Sequence, residues 1–313
     1  MKLRVLCSAL SVCLAIVFEG CGGPQGAIGN PSALSQAAPP PAAMPAGHGG
    51  LLYVSDTETS DVYVFSYPKG KLVQTLTGFT DPAGECVDKS GDVFITNTGG
   101  SSILEYAHGG SAAIATLNDP GYFPTGCSVD PLTGNLAVTN FSTSRSGPGN
   151  VVIYRNAKGK PTGNYMDSAI NSMLLCSYDN AGNLFLDGLT QASAFRFAEL
   201  RKGATSLVNV KLKQSIQNAG GVEWDGTNVA VGDQATNVIY QFAISGEKGK
   251  KVGSTLLSGA AEVFQFWIDG SKIIGPNAYG ADVGIWHYPA GGSAIRTIGG
   301  LYAPLGAVVS AGS

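Results

Sequence analysis

The chain has 313 residues, a formal net charge of −3 and 13% charged residues, and it contains 44 glycines, about twice the usual share of that residue. This composition favours one large all-β domain over a helical protein. The Lys and Arg side chains are scattered, so they form no basic tract of the kind that binds DNA or RNA, and no nucleic-acid partner is expected.

The first 21 residues have the pattern of an export signal. Lys2 and Arg4 are followed by an apolar run over residues 5–18 that is short for a membrane span. The segment resembles the signal of bacterial lipoproteins, in which the cysteine after the apolar run is lipidated and becomes the new N-terminus. This resemblance implies a signal peptide over residues 1–21 and lipidation at Cys21. The two residues at 18–19 depart from the usual lipoprotein pattern, so ordinary secretory cleavage stays open.

Residues 22–49 consist mainly of Pro, Ala, Gly and Ser, with almost no charge and no hydrophobic period. Such a segment cannot bury a core, so it is predicted to be a disordered tether. The expected location is therefore the bacterial cell envelope, with the lipid as the only membrane anchor.

A short apolar run ending in Asp or Asn recurs along the rest of the chain. GDVFITN, for example, returns 43 residues later as GNLAVTN. The six copies end at Asp56, Asn97, Asn140, Asp187, Asp233 and Asn277. Their spacing of 41 to 47 residues is typical of propeller blades.

Each copy also contains three further runs of alternating apolar residues, bounded by Gly, Pro, Asn and Asp. Four strands in each of six copies predict an all-β fold over residues 50–313, a six-bladed β-propeller of four-stranded blades. The domain begins on a second-type strand, LLYVSD, and ends on a fourth-type strand, PLGAVVS. The C-terminal strand is therefore predicted to complete the N-terminal blade as its innermost strand.

The stretch PAGECVDKSGDVFITNTGGSSILEY resembles the NHL repeat, whose wider superfamily includes gluconolactonase-like and regucalcin-like six-bladed propellers. The similarity extends over residues 51–310. It implies the fold strongly and an activity only weakly.

The resemblance also provides a test for catalysis. Gluconolactonase-like propellers hold one divalent cation in the central channel through a Glu, an Asn and an Asp, each five positions before the residue that ends an inner strand. The matching positions here are Ala83, Thr125, Leu174, Gly220, Phe264 and Leu305. One threonine hydroxyl does not supply the oxygen ligands of a hard cation, so neither a metal nor a cofactor is expected. Glu85 and Glu262 lie nearby but out of register, and a shifted metal site is the alternative.

No catalytic residue is predicted elsewhere. The chain lacks a G-x-S-x-G sequence, and of its three histidines His48 lies in the tether, while His108 and His287 are expected in exposed turns.

Three cysteines belong to the predicted propeller. Cys127 and Cys176 hold equivalent places on successive inner strands, whose backbones are expected to be too far apart for a disulfide. Together with Cys86, they are predicted to be small buried apolar side chains.

We call the upper face of the disk the one that carries the loops leading into the inner strands. The six Asp and Asn residues that end the repeated run should form a ring on this face, and the repetition favours a structural role in turns. The upper face is predicted to be acidic, and the opposite, lower face basic.

Binding should come from residues that are not repeated. The candidates are Tyr122 and Phe123, and Arg145 in the long loop NFSTSRSGPGN. The alternative roles are a packed loop for the two aromatic residues and a solvated insertion for Arg145.

Two functions remain from the sequence. The first is a monomeric, lipid-tethered, non-catalytic propeller that binds a protein, peptide or glycan through its upper face. The alternative is a lactonase-like hydrolase or lyase with a non-standard channel site.

Overall fold

A computed structural model of the chain describes residues 49–119, 122–143 and 147–312. The predicted signal, the predicted tether, Cys21 and Arg145 lie outside the described residues. Within the described ranges, the regular structure is β-strand apart from one turn of 3₁₀ helix at Arg155–Ala157. No helix in this part of the chain is long and apolar enough to cross a membrane.

The first three blades follow one another along the chain. Blade 1 contains β1 (Leu51–Asp56), β2 (Asp61–Ser66) and β3 (Lys71–Leu76). Blade 2 contains β4 (Pro82–Val87), β5 (Val93–Asn97), β6 (Ser102–Tyr106) and β7 (Ala115–Asn118). Blade 3 contains β8 (Pro124–Val129), β9 (Leu136–Asn140), β10 (Asn150–Tyr154) and β11 (Gly163–Tyr165).

The remaining blades repeat the arrangement with small additions. Blade 4 contains β12 (Ser172–Tyr178), β13 (Leu184–Leu189), β14 (Phe195–Leu200) and β15 (Val208–Asn209). Blade 5 contains β16 (Lys211–Leu212), β17 (Ala219–Trp224), β18 (Val229–Asp233), β19 (Val238–Ser245) and β20 (Lys248–Ser258). Blade 6 contains β21 (Trp267–Asp269), β22 (Lys272–Asn277), β23 (Asp282–His287) and β25 (Arg296–Ile298). The short strand β24 (Gly292–Ser293) lies between β23 and β25 in the chain, and the final strand is β26 (Pro304–Ser310). The two-residue strands β16 and β24 pair in parallel with β20.

The ring closes as predicted. β26 pairs antiparallel with β1, from Leu51 opposite Ser310 to Asp56 opposite Pro304. The first sheet therefore has the order β26, β1, β2, β3, and its innermost strand comes from the C-terminal end of the domain. The all-β, six-bladed prediction is confirmed.

The strands near the axis are apolar on both faces because each blade packs against two neighbours. All six residues of β1 are buried, whereas the outer strand β3 exposes most of its side chains. Six clusters of buried side chains lie between neighbouring blades, one at each boundary. Burial of this apolar surface between blades is the main favourable contribution to the fold.

A disulfide joins two inner strands. Cys86 of β4 and Cys127 of β8 are bonded, with their Cα atoms 5.6 Å apart. The bridge closes a loop with a sequence separation of 41 residues, which stabilises the fold by about 4 kcal/mol in the chain-entropy account.

The prediction for these two cysteines was therefore wrong, while Cys176 is a free, buried thiol. Cys86 lies one position later on its strand than Cys127 does, so the two side chains face each other across the blade boundary. The backbones also approach closely there, because a Cβ on Gly84 would collide with the carbonyl oxygen of Thr125. Glycine removes this collision.

Candidate functional site

Most of the side chains that end the second strand of each blade hold the loop leading into that blade's inner strand. Asp56 accepts hydrogen bonds from the backbone N–H groups of Tyr302 (2.7 Å) and Ala303 (3.1 Å). Asn97 accepts one from Thr80 at 2.6 Å. Equivalent bonds join Asp233 Oδ1 to Asn218 N (3.1 Å) and Asn277 Oδ1 to Ala261 N (2.7 Å). Asn140 instead donates from Nδ2 to the side chain of Asn150 at 2.9 Å.

Asp187 lies one residue out of this register. In blade 2, Asn97 pairs with Pro82 at the start of the inner strand. The corresponding pair in blade 4 is Gly188 and Met173, so Gly188 takes the place of Asn97. The side chain of Asp187 is completely buried, and its Oδ1 accepts a hydrogen bond from Leu175 N at 2.9 Å. Its Oδ2 has no partner among the described residues. Burial raises the pKa of Asp187 to about 7.

Apolar side chains fill the upper end of the channel. Leu174, Leu175 and Phe264 are buried against one another, the first two from the inner strand of blade 4 and the third from the loop that enters blade 6. Leu305 packs against the same cluster. The hydroxyl of Thr125 donates to the carbonyl oxygen of Leu174 at 2.9 Å. Three of the positions compared above with the cation-binding positions of gluconolactonase-like propellers, Leu174, Phe264 and Leu305, are thus used for packing.

Glu85 and Glu262, the alternative metal ligands, occupy different parts of the disk. Glu262 lies in an upper loop and interacts with Tyr279, whereas Glu85 lies on β4 beside the lower part of the channel. Among the described residues, no three His, Cys, Asp or Glu side chains cluster so that they could hold a metal.

The aromatic candidates Tyr122 and Phe123 are half-buried on the upper face. Phe123 donates its N–H to the carbonyl of Ser142 (3.2 Å) and accepts from the N–H of Phe141 (2.9 Å). They lie beside the start of the long loop that contains Arg145, which is outside the described residues.

Sequence reasoning missed two other aromatic residues. Tyr279 and Tyr302 are 60% and 65% exposed and lie in upper loops next to blades 6 and 1. The signal was available: each tyrosine follows alanine or leucine within a stretch of small residues, NAYGAD and GLYAP, which offers little bulk to cover a large ring.

The described residues also form a cavity of about 180 Å³ in the channel, towards the lower face. The inner strands of blades 2 to 6 line it. Its chemically distinctive residues are Glu85, Tyr178, Glu223, Trp224, Gln265 and Trp267.

The neutral polar side chains of this cavity tie the inner strands to one another. Ser177 Oγ accepts a hydrogen bond from the N–H of Trp224 at 3.0 Å. Gln265 accepts from the N–H of Glu85 at 2.9 Å and donates to its carbonyl oxygen at 2.6 Å. These bonds fix the walls around the carboxyl groups of Glu85 and Glu223.

The two glutamates differ in accessibility. Both carboxyl oxygens of Glu85 are buried and have no hydrogen-bond partner among the described residues. Burial raises its pKa well above the ordinary value. Glu223 is only partly buried as a residue, but its carboxyl group lies deep enough within the disk for desolvation to raise its pKa to about 8.

An acidic ring surrounds the lower mouth of this cavity. Four inner strands are followed directly by an aspartate, and the inner strand of blade 6 ends on one: Asp88, Asp130, Asp179, Asp225 and Asp269. Several accept backbone hydrogen bonds within their turns, such as Asp179 from Ala181 N at 2.9 Å. The prediction of a basic lower face therefore holds only for the outer turns, because these turn-forming aspartates place negative charge near the axis.

A second concavity of about 250 Å³ lies on the lower face between blades 4 and 5. Phe185, Trp224, Glu199 and Arg201 are among its lining residues, and the last two form an ion pair at 3.1 Å. Trp224 lines both this groove and the channel cavity.

The two histidines of the propeller differ. His287 is exposed, as predicted, but His108 is half-buried, and its Nδ1 lies 2.7 Å from Ser310 Oγ. The Ser310 hydroxyl donates to the carbonyl of Gly91 at 2.6 Å. This set of bonds fastens the closing strand to blade 2.

Comparison with known proteins shows the fold and no more. No protein-family model and no curated protein sequence matches the chain. A chain in the crystal structure of a nidogen/laminin complex is similar in structure, with a TM-score of 0.66, 12% identity, and coverage of 85% of this chain and 100% of that one. The hydrazine synthase of Kuenenia stuttgartiensis gives a TM-score of 0.62 at 13% identity, covering 77% of this chain and 81% of that one. A Bacteroides caccae protein of unknown function gives 0.63 at 11% identity, covering 84% and 99%.

Proposed function

We propose that this protein is an exported, lipid-anchored, non-catalytic β-propeller that binds a protein, peptide or glycan through its upper face. The observation that carries the proposal is the apolar closure of the upper channel by Leu174, Leu175 and Phe264. Side chains packed across this end of the channel suit a macromolecular partner, which binds to a surface, better than a small reactant, which binds in a pocket.

Aromatic side chains support the same face as the binding surface. Tyr279 and Tyr302 are largely exposed, and Tyr122 and Phe123 are half-exposed beside the long loop. Tyrosine combines a large contact area with a polar tip and is enriched at interfaces. The similar chain in the nidogen/laminin structure indicates that this fold is compatible with a role in a protein complex.

The disulfide supports an exported location. Structural disulfides persist in the periplasm and outside the cell and are rare in the reducing cytosol. The Cys86–Cys127 bridge agrees with the export signal at residues 1–21.

The binding face is tested with captured envelope material and purified full-length protein. We expect substitution of Tyr279, Tyr302, Tyr122, Phe123 and Arg145, each to Ala, to weaken capture of the dominant partner at least tenfold in combination. Val252→Ser, at a 52% exposed apolar residue of the outer strand β20, is the matched control and should leave capture unchanged. Equal capture by all variants would remove the upper face from the proposal.

The same preparation tests the hydrolase or lyase alternative. Elemental analysis and assays with simple lactones should detect neither a stoichiometric cation nor chelator-sensitive hydrolysis. A positive result in both would replace the binding function with an enzymatic one.

The anchor is tested separately through Cys21. In a bacterium that processes lipoproteins, Cys21→Ser should move the protein from the detergent-rich to the aqueous phase and remove the mass of the lipid. Ordinary secretory cleavage instead predicts equal partitioning and equal mass for both forms.

A further inference from the structure

The lower channel cavity is not used by the proposed function and has a distinctive chemistry. It contains two of the protein's three tryptophans, Trp224 and Trp267, together with Tyr178. All three residues are only partly buried, although they belong to the inner strands at the centre of the disk. The third tryptophan, Trp286, is almost fully buried between blades.

Trp267 occupies a position at which two other blades have serine. At the position of Trp267, blades 3 and 4 have Ser128 and Ser177, whose hydroxyls each accept a hydrogen bond at 3.0 Å from a backbone N–H of the next blade's inner strand. Trp267 gives up that contact and places its ring at the cavity. The faces of tryptophan and tyrosine attract cations electrostatically, and tryptophan does so best.

The charges around the cavity favour the same kind of ligand. Glu223 is accessible within it, and Glu85 is sealed in its wall with neither carboxyl oxygen hydrogen-bonded to a described residue. Burial without a partner favours the neutral form of such a carboxyl group, and a cation in the cavity would favour its ionised form. The five aspartates around the lower mouth add a negative field, which raises the local concentration of cations.

The size limits the ligand. A cavity of about 180 Å³ is slightly larger than the engineered protein cavity of about 150 Å³ that accepts benzene. It therefore has room for an ammonium group with small alkyl substituents.

We propose that this cavity binds a small organic cation of the alkylammonium type, held by the rings of Trp224, Trp267 and Tyr178 and by the carboxyl group of Glu223, which ionises when the cation binds. The cation comes either from a free small molecule or from a lysine-type side chain of another protein inserted from the lower face. This site is on the opposite side of the disk from the proposed partner surface and does not depend on it.

The experiment titrates the full chain with choline and follows tryptophan fluorescence and heat. We expect saturable binding, with at least tenfold weaker binding of 3,3-dimethylbutan-1-ol, which has the same shape without the charge. Saturation at equal concentrations by both compounds would overturn the proposal. The absence of saturable binding by choline and by short peptides that contain lysine or trimethyllysine would also overturn it.

Variants locate the binding site. Trp267→Leu and Glu223→Gln should each weaken choline binding at least fivefold while leaving the melting temperature within a few degrees. Should Trp267→Leu fail to fold, Trp267→Phe serves in its place. Glu199→Gln is the matched control, because this carboxylate lies in the neighbouring groove and pairs with Arg201, and its choline affinity should be unchanged. Binding that survives both cavity variants would contradict the assignment.

A second series separates the two sources of the cation. Short peptides containing lysine or trimethyllysine are titrated beside choline. Tighter binding of a peptide identifies a protein side chain as the ligand, and tighter binding of choline identifies a free small molecule. Upper-face variants such as Tyr302→Ala should change neither result, so failure of this site and failure of the proposed partner surface are distinguishable.

Discussion

At the scale of single residues, Asp187 is a carboxyl group whose surroundings conflict with its charge. It is completely buried, only its Oδ1 has a partner, and its pKa is raised to about 7. The folded state therefore holds a proton on this group between about pH 4 and pH 7 that the unfolded chain releases. Because the folded state binds more protons, this residue makes the free energy of unfolding fall as the pH rises through that range.

Asp187→Asn should remove this dependence. Asparagine keeps the acceptor for Leu175 N but cannot ionise, so we expect the variant to gain about 3 kcal/mol more in the free energy of unfolding at pH 8 than at pH 4.5. Urea denaturation at the two pH values measures the difference. Glu58→Gln, at an exposed carboxyl, is the control and should change little at either pH. An Asp187→Asn effect of equal size at both values would show that Asp187 does not titrate in this range.

At the scale of strands, the sequence predicted the features that recur from blade to blade. Runs such as GDVFITN and GNLAVTN carry their own turn residues, so blade number, strand number and the closing strand all followed from spacing. The same reasoning failed in blade 4, because β13 continues two residues beyond Asp187 to Leu189. Asp187 was therefore aligned with the strand-ending residues of the other blades, although Gly188 holds that position. A shift of one residue places the Asp187 side chain on the other face of the strand.

Contacts between strands of different blades were not predictable in the same way. The Cys86–Cys127 bridge depends on a one-residue offset and on the close backbone approach at Gly84. The lower cavity likewise brings together Glu223 and Trp267 from separate blades. Single side chains that differ between repeats give no periodic signal, and only the closed ring brings them to one place.

At the scale of the whole molecule, stability depends on a single sheet made from both ends of the domain. β26 contributes Ala307, Val308 and Val309 to the packing between blade 1 and its neighbours. Ser310 at its end bonds to Gly91 and lies beside His108 of blade 2. Without β26, the edge of β1 and two inter-blade clusters would be open to solvent.

Deletion of residues 303–313 should therefore destabilise the propeller by much more than the roughly 0.5–3 kcal/mol of a typical point substitution. Exposed backbone groups on β1 would also favour aggregation. Deletion of residues 311–313 alone leaves β26 intact and is the matched control, with an expected melting temperature within a few degrees of the full chain. Thermal unfolding followed by circular dichroism compares the two truncations. A synthetic peptide with the sequence of residues 303–313 should partly restore the lost stability, because it supplies the missing strand to the edge of β1. If both truncated proteins melt at the same temperature as the full chain, β26 does not hold the ring closed.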